Sequence, residues 1–166
     1  SYRDPRTFPH LLSVSVLGFS QQVTSRAQEA LKGIEGDYAS MVTEVIEKYP
    51  AAEKLVALRT MVEREGMPKE ETARVATQAL VVGNSLAFSD PASASLVRDM
   101  RVLAARTLGE LRWAEATPQL IEHFDLSVLE LDRGLGTKSA VLEAIAALGS
   151  VGTREAALRL CATWVS

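Results

Sequence analysis

The sequence predicts an all-α fold, arranged as an α-solenoid-like stack of antiparallel helical hairpins. Three observations support this fold class. Apolar residues recur every three or four positions along most of the chain, which is the period of one helix face. Aromatic residues make up only 5% of the chain, and strand-like alternation is confined to residues 13–16. A segment of 20 residues recurs 40 positions further on, as in helical-repeat proteins.

Length and composition narrow the classes of function. The 166 residues fit one domain, so we expect residues 1–166 to form a single all-helical domain. The net charge of −3 argues against nucleic acid as the partner. The single cysteine, Cys161, excludes an internal disulfide framework and a cysteine-rich zinc site. No apolar run is long enough to predict a membrane span.

The first residue, Ser1, bears on processing and location. Because it is not Met, we expect a processed protein or a part of a longer one. The sequence leaves the location open: a cytoplasmic location is slightly favoured over an extracytoplasmic one, which would follow if a signal peptide preceded Ser1. A single unpaired cysteine fits either compartment.

Residues 1–89 are expected to form helical hairpins without an assigned repeat type. Apolar residues spaced by three or four predict one helix over about 8–33, with Thr7 as its N-cap. Asp37 is a good N-cap for a second helix. Pro50 ends that helix, because a proline disfavours helical geometry in the residue before it.

Two further helices precede the middle of the chain. The first covers about 51–65 and ends at Gly66, a residue type favoured after a helix. The second begins at Pro68, which suits a first helical turn, and fades near Gly83. The segment 84–95 is the most loop-like part of the chain.

The second half begins with Asp90 and Pro91, which predict an N-cap and a first-turn proline for a helix to about Arg112. The segment 126–136 is ambiguous between helix and loop. Short helices are expected at about 115–125, 137–149 and 154–164.

An internal repeat relates residues 101–120 to residues 141–160 and is the most specific signal in the sequence. Six of the 20 positions are identical, where composition alone would give about two. Each unit is interpreted as helix, tight turn and helix, and one such hairpin must stack on a neighbour to bury its apolar face. The identical pairs are Ala104 and Ala144, Leu108 and Leu148, Gly109 and Gly149, Glu115 and Glu155, Ala116 and Ala156, and Leu120 and Leu160.

Residues 100–124, MRVLAARTLGELRWAEATPQLIEHF, resemble the HEAT-like repeats of the phycobilisome-lyase type, whose pattern is roughly V-R-x-x-A-A-x-A-L-G-x-L-x-x-x-x-A-x-P-x-L-I. The second unit departs from that pattern at Val141, in the place of the arginine, and at Leu158, in the place of the proline. The resemblance implies two HEAT-like repeats over residues 90–166. Because such repeats usually serve as binding scaffolds, it also implies a binding role. The matching positions are Met100, Arg101, Ala104, Ala105, Leu108, Gly109, Leu111, Ala116, Pro118, Leu120 and Ile121.

The glycine-rich segment RGLGTKS, residues 133–139, is the one stretch similar to a phosphate-binding loop. A P-loop requires glycine, lysine and serine or threonine in succession, whereas Thr137 separates Gly136 from Lys138 here. We therefore expect a loop between repeats, with Thr137 as the N-cap of the next helix. No nucleotide or other cofactor is expected.

No group of residues predicts a catalytic or metal centre. His10 and His123 are far apart in the chain, and the neighbours Glu122, His123 and Asp125 point in different directions on a helix. We expect His123 at a solvated end of a helix. Cys161 stands in the repeat position of Ile121, so we expect it in the core rather than acting as a nucleophile.

The predicted helix over 91–112 has a basic character. A solvated face explains this pattern, and phosphate binding is the alternative interpretation. The arginines concerned are Arg98, Arg101, Arg106 and Arg112.

These patterns favour a non-catalytic scaffold that binds another protein. Outward side chains of the second helix in each repeat would form a mixed-charge face. Trp113, in a turn, would serve either as an interface anchor or as a cap on the hairpin core. The predicted protein-binding face consists of Trp113, Glu115, Gln119, Glu122, Arg154 and Arg159.

Two other classes of function stay open. The repeat type would permit an enzyme subunit such as a chromophore lyase-like component. Some HEAT-like proteins bind nucleic acid, which would require a basic concave surface. The last helix also carries apolar residues, among them Leu158, on its outer side. This predicts that a second copy of the chain, in a homodimer, or the N-terminal helix covers that end.

Overall fold

The structure is a computed structural model that describes residues 3–18 and 20–165, with the backbone alone for residues 164 and 165. Within these residues it contains nine α-helices, two short 3₁₀ helices at Pro5–Thr7 and Ala114–Ala116, and no strand, which confirms the all-α prediction. The α-helices are α1 (Phe8–Val16), α2 (Gln21–Lys32), α3 (Tyr38–Lys48), α4 (Ala51–Glu63), α5 (Lys69–Ser85), α6 (Ala94–Glu110), α7 (Thr117–Asp132), α8 (Lys138–Val151) and α9 (Arg154–Val165).

The chain divides into two compact units, Ser1–Val75 and Ala76–Ser166, and the boundary falls within α5. In the first unit α1 packs against α2 and α4, and α3 packs against α4. In the second unit α6 packs against α8, and α7 packs against α8 and α9. The single domain over residues 1–166 stays a prediction.

The prediction of a single helix over about 8–33 is wrong, because the structure has two helices there, α1 and α2. Gly18 adopts a left-handed conformation with φ of +72°, which glycine reaches without a steric penalty. Ser20 then begins α2 by accepting a hydrogen bond from the backbone of Val23 at 3.4 Å. Thr7 is the N-cap residue of α1, as predicted, but its side chain makes no capping hydrogen bond. Its hydroxyl donates instead to the carbonyl oxygen of Asp4 at 2.7 Å.

The expected boundaries of α3 are confirmed. The carboxylate of Asp37 accepts a hydrogen bond from the backbone of Ser40 at 3.2 Å. Tyr49, which precedes Pro50, is extended with ψ of 164°, so the helix ends at Lys48.

The start of α6 differs from the prediction by about three residues. Asp90 does not cap the helix itself but closes the turn before it. Its two carboxylate oxygens accept from the backbone of Ala92 at 3.0 Å and from the hydroxyl of Ser93 at 2.9 Å. The ambiguous segment 126–136 is helical as far as Asp132.

The 40-residue repeat is present in the structure as two helix–turn–helix units, α6–α7 and α8–α9. A left-handed residue follows each first helix: Arg112, with φ of 52°, lies after α6, and Gly152, with φ of 64°, lies after α8. These two residues are 40 positions apart. Leu108 and Leu148 are both fully buried. The pair Arg112 and Gly152 is thus equivalent in backbone conformation, and the pair Leu108 and Leu148 is equivalent in burial.

The two repeated glycines lie in the last turns of α6 and α8, before the reversals themselves. A Cβ atom on Gly109 would stand 3.0 Å from the Cα atom of Ala147, so the absence of a side chain lets α6 approach α8 closely. A Cβ atom on Gly149 would meet nothing within 4 Å. The glycines thus share a position in the repeat but not a packing role.

The sequence predicts that the inward side of α9 consists of Ala156, Ala157, Leu160, Cys161 and Trp164. The structure confirms this only in part, since Ala157 is exposed and Leu160 is half-buried. Ala156 is buried, but Cys161 is exposed, so its expected core position is wrong. Leu158 is exposed on the outer side, and the side chain of Trp164 lies outside the described residues. A homodimer through α9 stays a prediction.

Candidate functional site

The predicted protein-binding face falls on the segment before α7, on α7 and on α9. Because α7 and α9 are in contact, the structure places these residues on neighbouring helices. Glu115, Glu122 and Arg154 are exposed, whereas Trp113, Gln119 and Arg159 are half-buried.

Arg159 ties the two helices of this face together. Its guanidinium donates to Asp125 Oδ1 at 3.0 Å from Nε and 2.5 Å from Nη2, and it lies 5.0 Å from the ring centroid of Phe124. A partly exposed ion pair of this kind contributes little to stability. It joins α9 to α7 at a point where the two helices are already in contact, so the outward side chains of the two helices lie next to one another.

Two polar residues predicted to be solvated are buried instead. His123 is fully buried, because α7 continues for more than two turns beyond it and does not end there. Arg101 is 1% exposed, unlike the solvated arginine expected from its charge. Both side chains point into the space between α6 and α7, where they contact one another through the 3.4 Å hydrogen bond from Arg101 Nε to His123 Nδ1.

Glu130 joins this buried group and pairs with two arginines. Its Oε1 atom lies 2.5 Å from Nη1 of Arg101, and its Oε2 atom accepts from Nε of Arg98 at 2.8 Å. Arg98 and Arg101 are one turn apart on α6, and His123 and Glu130 are two turns apart on α7. One carboxylate therefore bridges two cations across the α6–α7 contact.

The end of α5 makes room for this cluster. A Cβ atom on Gly83 would lie 2.5 Å from Cγ of Arg101, so only glycine lets the arginine stem pass so close to the helix. The next residue, Asn84, is buried and donates from its side chain to the carbonyl oxygen of Gln119 at 3.2 Å. This hydrogen bond joins the end of α5 to the backbone of Gln119, which is one of the residues of the predicted protein-binding face.

Burial and the nearby charge of Arg101 lower the pKa of His123 from 6.5 to about 3. The imidazole is therefore neutral near pH 7. Because Nδ1 accepts from Arg101, the ring proton resides on Nε2, which has no hydrogen-bond partner within the described residues. Burial also lowers the pKa of Arg101, and Glu130 opposes that shift.

This lowered pKa predicts that the protein loses stability as the pH falls. The unfolded chain binds a proton at His123 below about pH 6.5 and the folded chain does not, so the stabilising contribution is complete above pH 6.5 and declines toward pH 3. Between pH 8 and pH 5 the loss from this group should be about 2 kcal/mol. Chemical denaturation at several pH values should show it in the wild type but not in His123→Asn, whose side chain keeps an acceptor for Arg101.

The exposed histidine His10 supplies the control for that experiment. His10→Asn should retain the pH dependence of the wild type. Equal pH dependence in the wild type and in His123→Asn would contradict the assignment of a buried, neutral imidazole.

A cleft with a volume of about 340 Å³ adjoins the buried cluster. Its polar lining includes Arg98, Arg101 and Glu130, and the exposed residues Arg133 and Phe88 line it as well. Most of the remaining lining is apolar. We call this feature the arginine cleft.

The glycine-rich segment after α7 ends one helix and begins the next. The backbone amides of Leu135 and Gly136 donate to the carbonyl oxygen of Glu130 at 2.8 and 2.9 Å. The hydroxyl of Thr137 accepts from the backbone of Ala140 at 3.1 Å, which confirms it as the N-cap of α8. The amides of Arg133 and Gly134 also donate to carbonyl oxygens of α7, so the first four amides of the segment are already used by the fold.

This cluster was not identified from the sequence, because each of its residues taken singly resembles a solvated surface residue. The only available signal was spacing: Glu130 follows His123 by seven residues, which places both on one helix face. This spacing is meaningful only if α7 continues into residues 126–132, which the sequence left open between helix and loop. Glu130 was therefore not recognised as a partner for Arg101.

The described part of the chain has neither a metal-binding group nor a membrane-spanning helix. Residues 3–18 and 20–165 contain no group of three or more histidine, cysteine, aspartate or glutamate residues placed to hold a metal ion. No helix among them is long and apolar enough to cross a membrane.

Comparison with known proteins gives one match. The family model of the PBS lyase HEAT-like repeat matches residues 100–125, which run from α6 through the turn into α7. Neither the curated proteins nor the solved structures give a match. The second unit, α8–α9, lies outside the matched segment. Its assignment as a repeat depends only on its similarity to the residues 40 positions earlier. Over residues 100–125 the chain is thus similar to a PBS lyase HEAT-like repeat, as its sequence predicted.

Proposed function

We propose that this chain is a non-catalytic helical-repeat scaffold that binds another protein through the outward surface of α7 and α9. The observation that carries the proposal is the pair of equivalent helix–turn–helix units, whose second helices are in contact. A repeat architecture supplies an extended surface built from the same position of each unit.

The chemistry of this surface suits a polar partner. Glu115 is exposed in the 3₁₀ helix before α7, Glu122 is exposed on α7, and Arg154 is exposed at the start of α9. Charges of both signs on one surface favour a partner with a complementary pattern. Trp113 is half-buried in the preceding turn, and an aromatic residue in such a position can anchor an interface.

The proposal predicts that charge reversal at Glu115 and Glu122 strongly weakens partner binding. Glu115→Lys/Glu122→Lys should recover at least ten-fold less of the wild type's partner in affinity capture from the native source, measured by quantitative mass spectrometry. The physical reason is that four units of charge change on a surface made to fit one charge pattern. The matched control is Asp99→Lys/Glu110→Lys, which makes the same change at two exposed sites on α6. Equal recovery by both double variants would contradict the assigned face, and the absence of any partner specific to the wild type would contradict the scaffold.

A further inference from the structure

The arginine cleft contains one positive charge in excess. Three arginines, Arg98, Arg101 and Arg133, line it together with two carboxylates, Glu130 and Asp90. Asp90 is already engaged by the turn before α6, where it accepts two hydrogen bonds. Glu130 is the one carboxylate that forms ion pairs with the guanidinium groups of Arg98 and Arg101, and the exposed Glu122 acts on Arg101 only at longer range. A buried cation without its own counter-ion is unfavourable, so an anion bound in the cleft would be stabilised.

One donor of the buried cluster is also unused. The Nη2 atom of Arg101 is buried and has no hydrogen-bond partner within the described residues, although Arg101 lines the cleft. Glu130 and the adjacent backbone of Gly83 hold this side chain in place. A guanidinium held in this way can donate to a carboxylate with little further loss of conformational freedom.

The opening of the cleft combines positive charge with apolar surface. Phe88 has φ of 65°, which is uncommon for an aromatic residue, and such backbone strain tends to persist at functional sites. Its ring is exposed, and the guanidinium carbon of Arg133 lies 4.7 Å from the ring centroid. Leu135 adds a second exposed apolar side chain at the lining. A ligand entering here meets hydrophobic contacts together with cations.

We propose that the arginine cleft binds a monocarboxylate with an apolar body. The single excess charge matches one carboxylate, and the mostly apolar lining matches a hydrocarbon or an apolar side chain. The volume of about 340 Å³ lies at the small end of the range for small-molecule sites. A medium-chain fatty acid and the apolar C-terminal residue of a peptide share this chemistry. The cleft and the proposed protein-binding face consist of different residues, so either can fail without the other.

Calorimetric titration of the full chain tests the proposal with two pairs of probes. The first pair is octanoate and its neutral analogue octanamide; the second is a short peptide with a C-terminal leucine and the same peptide amidated. We expect saturable binding of at least one carboxylate and at least ten-fold weaker binding of its neutral analogue. Binding of octanoate alone identifies a small-molecule site, and binding of the peptide alone identifies a site for a chain terminus.

Two variants separate ligand binding from folding. Arg98→Gln removes the excess charge but leaves Arg101 paired with Glu130, so it should fold and bind the carboxylate at least ten-fold more weakly. Phe88→Gly removes the ring at a position whose positive φ suits glycine, so it should also weaken binding without lowering the thermal unfolding temperature. Arg112→Gln, outside the cleft, should bind like the wild type. Absence of binding by both carboxylates, equal binding of the neutral analogues, or full binding by Arg98→Gln would overturn the proposal.

Discussion

Replacing Glu130 by glutamine is expected to lower the free energy of unfolding by about 3–5 kcal/mol. The carboxylate is 6% exposed and pairs with Arg98 and Arg101 at once. Glutamine keeps the shape of the side chain but removes its charge. Both guanidinium groups then stay in a poorly solvated environment without a counter-ion, which is the costly way to break a buried ion pair. Urea denaturation followed by circular dichroism should measure the loss.

The exposed pair of Arg106 and Glu143 provides the control for this experiment. Its Nη2–Oε2 distance of 2.7 Å resembles the distances in the buried cluster, but the two side chains are 51% and 37% exposed. Glu143→Gln should therefore cost at most about 1 kcal/mol. If Glu130→Gln costs no more than Glu143→Gln, the cluster is solvated and its proposed role in the arginine cleft also loses support.

Shortening the equivalent core leucines of the two repeats should be the second large effect. Leu108→Ala and Leu148→Ala should each lower the free energy of unfolding by about 2–5 kcal/mol, because each removes fully buried methyl groups and leaves a cavity. Leu142, which is 64% exposed on α8, supplies the matched control, and Leu142→Ala should change stability by less than about 0.5 kcal/mol. Thermal and urea unfolding of the three variants would show whether positions 108 and 148 are equivalent in energy as well as in sequence. A cost for Leu148→Ala no larger than that for Leu142→Ala would contradict the equivalence.

Local signals predicted the parts of the fold that local interactions determine. Asp37 and Thr137 cap their helices through their own side chains, and Pro50 ends α3, so each boundary was visible within a few residues. The break between α1 and α2 was missed because the apolar spacing continues across it. Gly18, whose backbone is left-handed, follows the C-cap residue of α1.

The buried cluster depended on contacts between distant positions. Arg101 and Glu130 are 29 residues apart, and nothing in the helix around Arg101 indicates that a carboxylate will reach it. Charge alone therefore suggested a solvated arginine. Cys161 shows the opposite error, since repeat equivalence suggested burial, although its counterpart Ile121 is itself only half-buried.

The predicted protein-binding face was located by the repeat and by helical spacing together. These signals correctly indicated that Glu115, Glu122 and Arg154 are exposed. They did not reveal that Arg159 is engaged by Asp125, because that ion pair connects helices from different repeats.

Site-specific photo-crosslinking would test the scaffold function most directly. A benzophenone amino acid would replace Glu122 on α7 in one variant and Asp99 on α6 in another, since both residues are exposed. The protein with the probe at position 122 should form a covalent adduct with the partner recovered in affinity capture, and the protein with the probe at position 99 should not. Adducts of equal yield from both positions, or an adduct from position 99 alone, would contradict a scaffold that binds through α7 and α9.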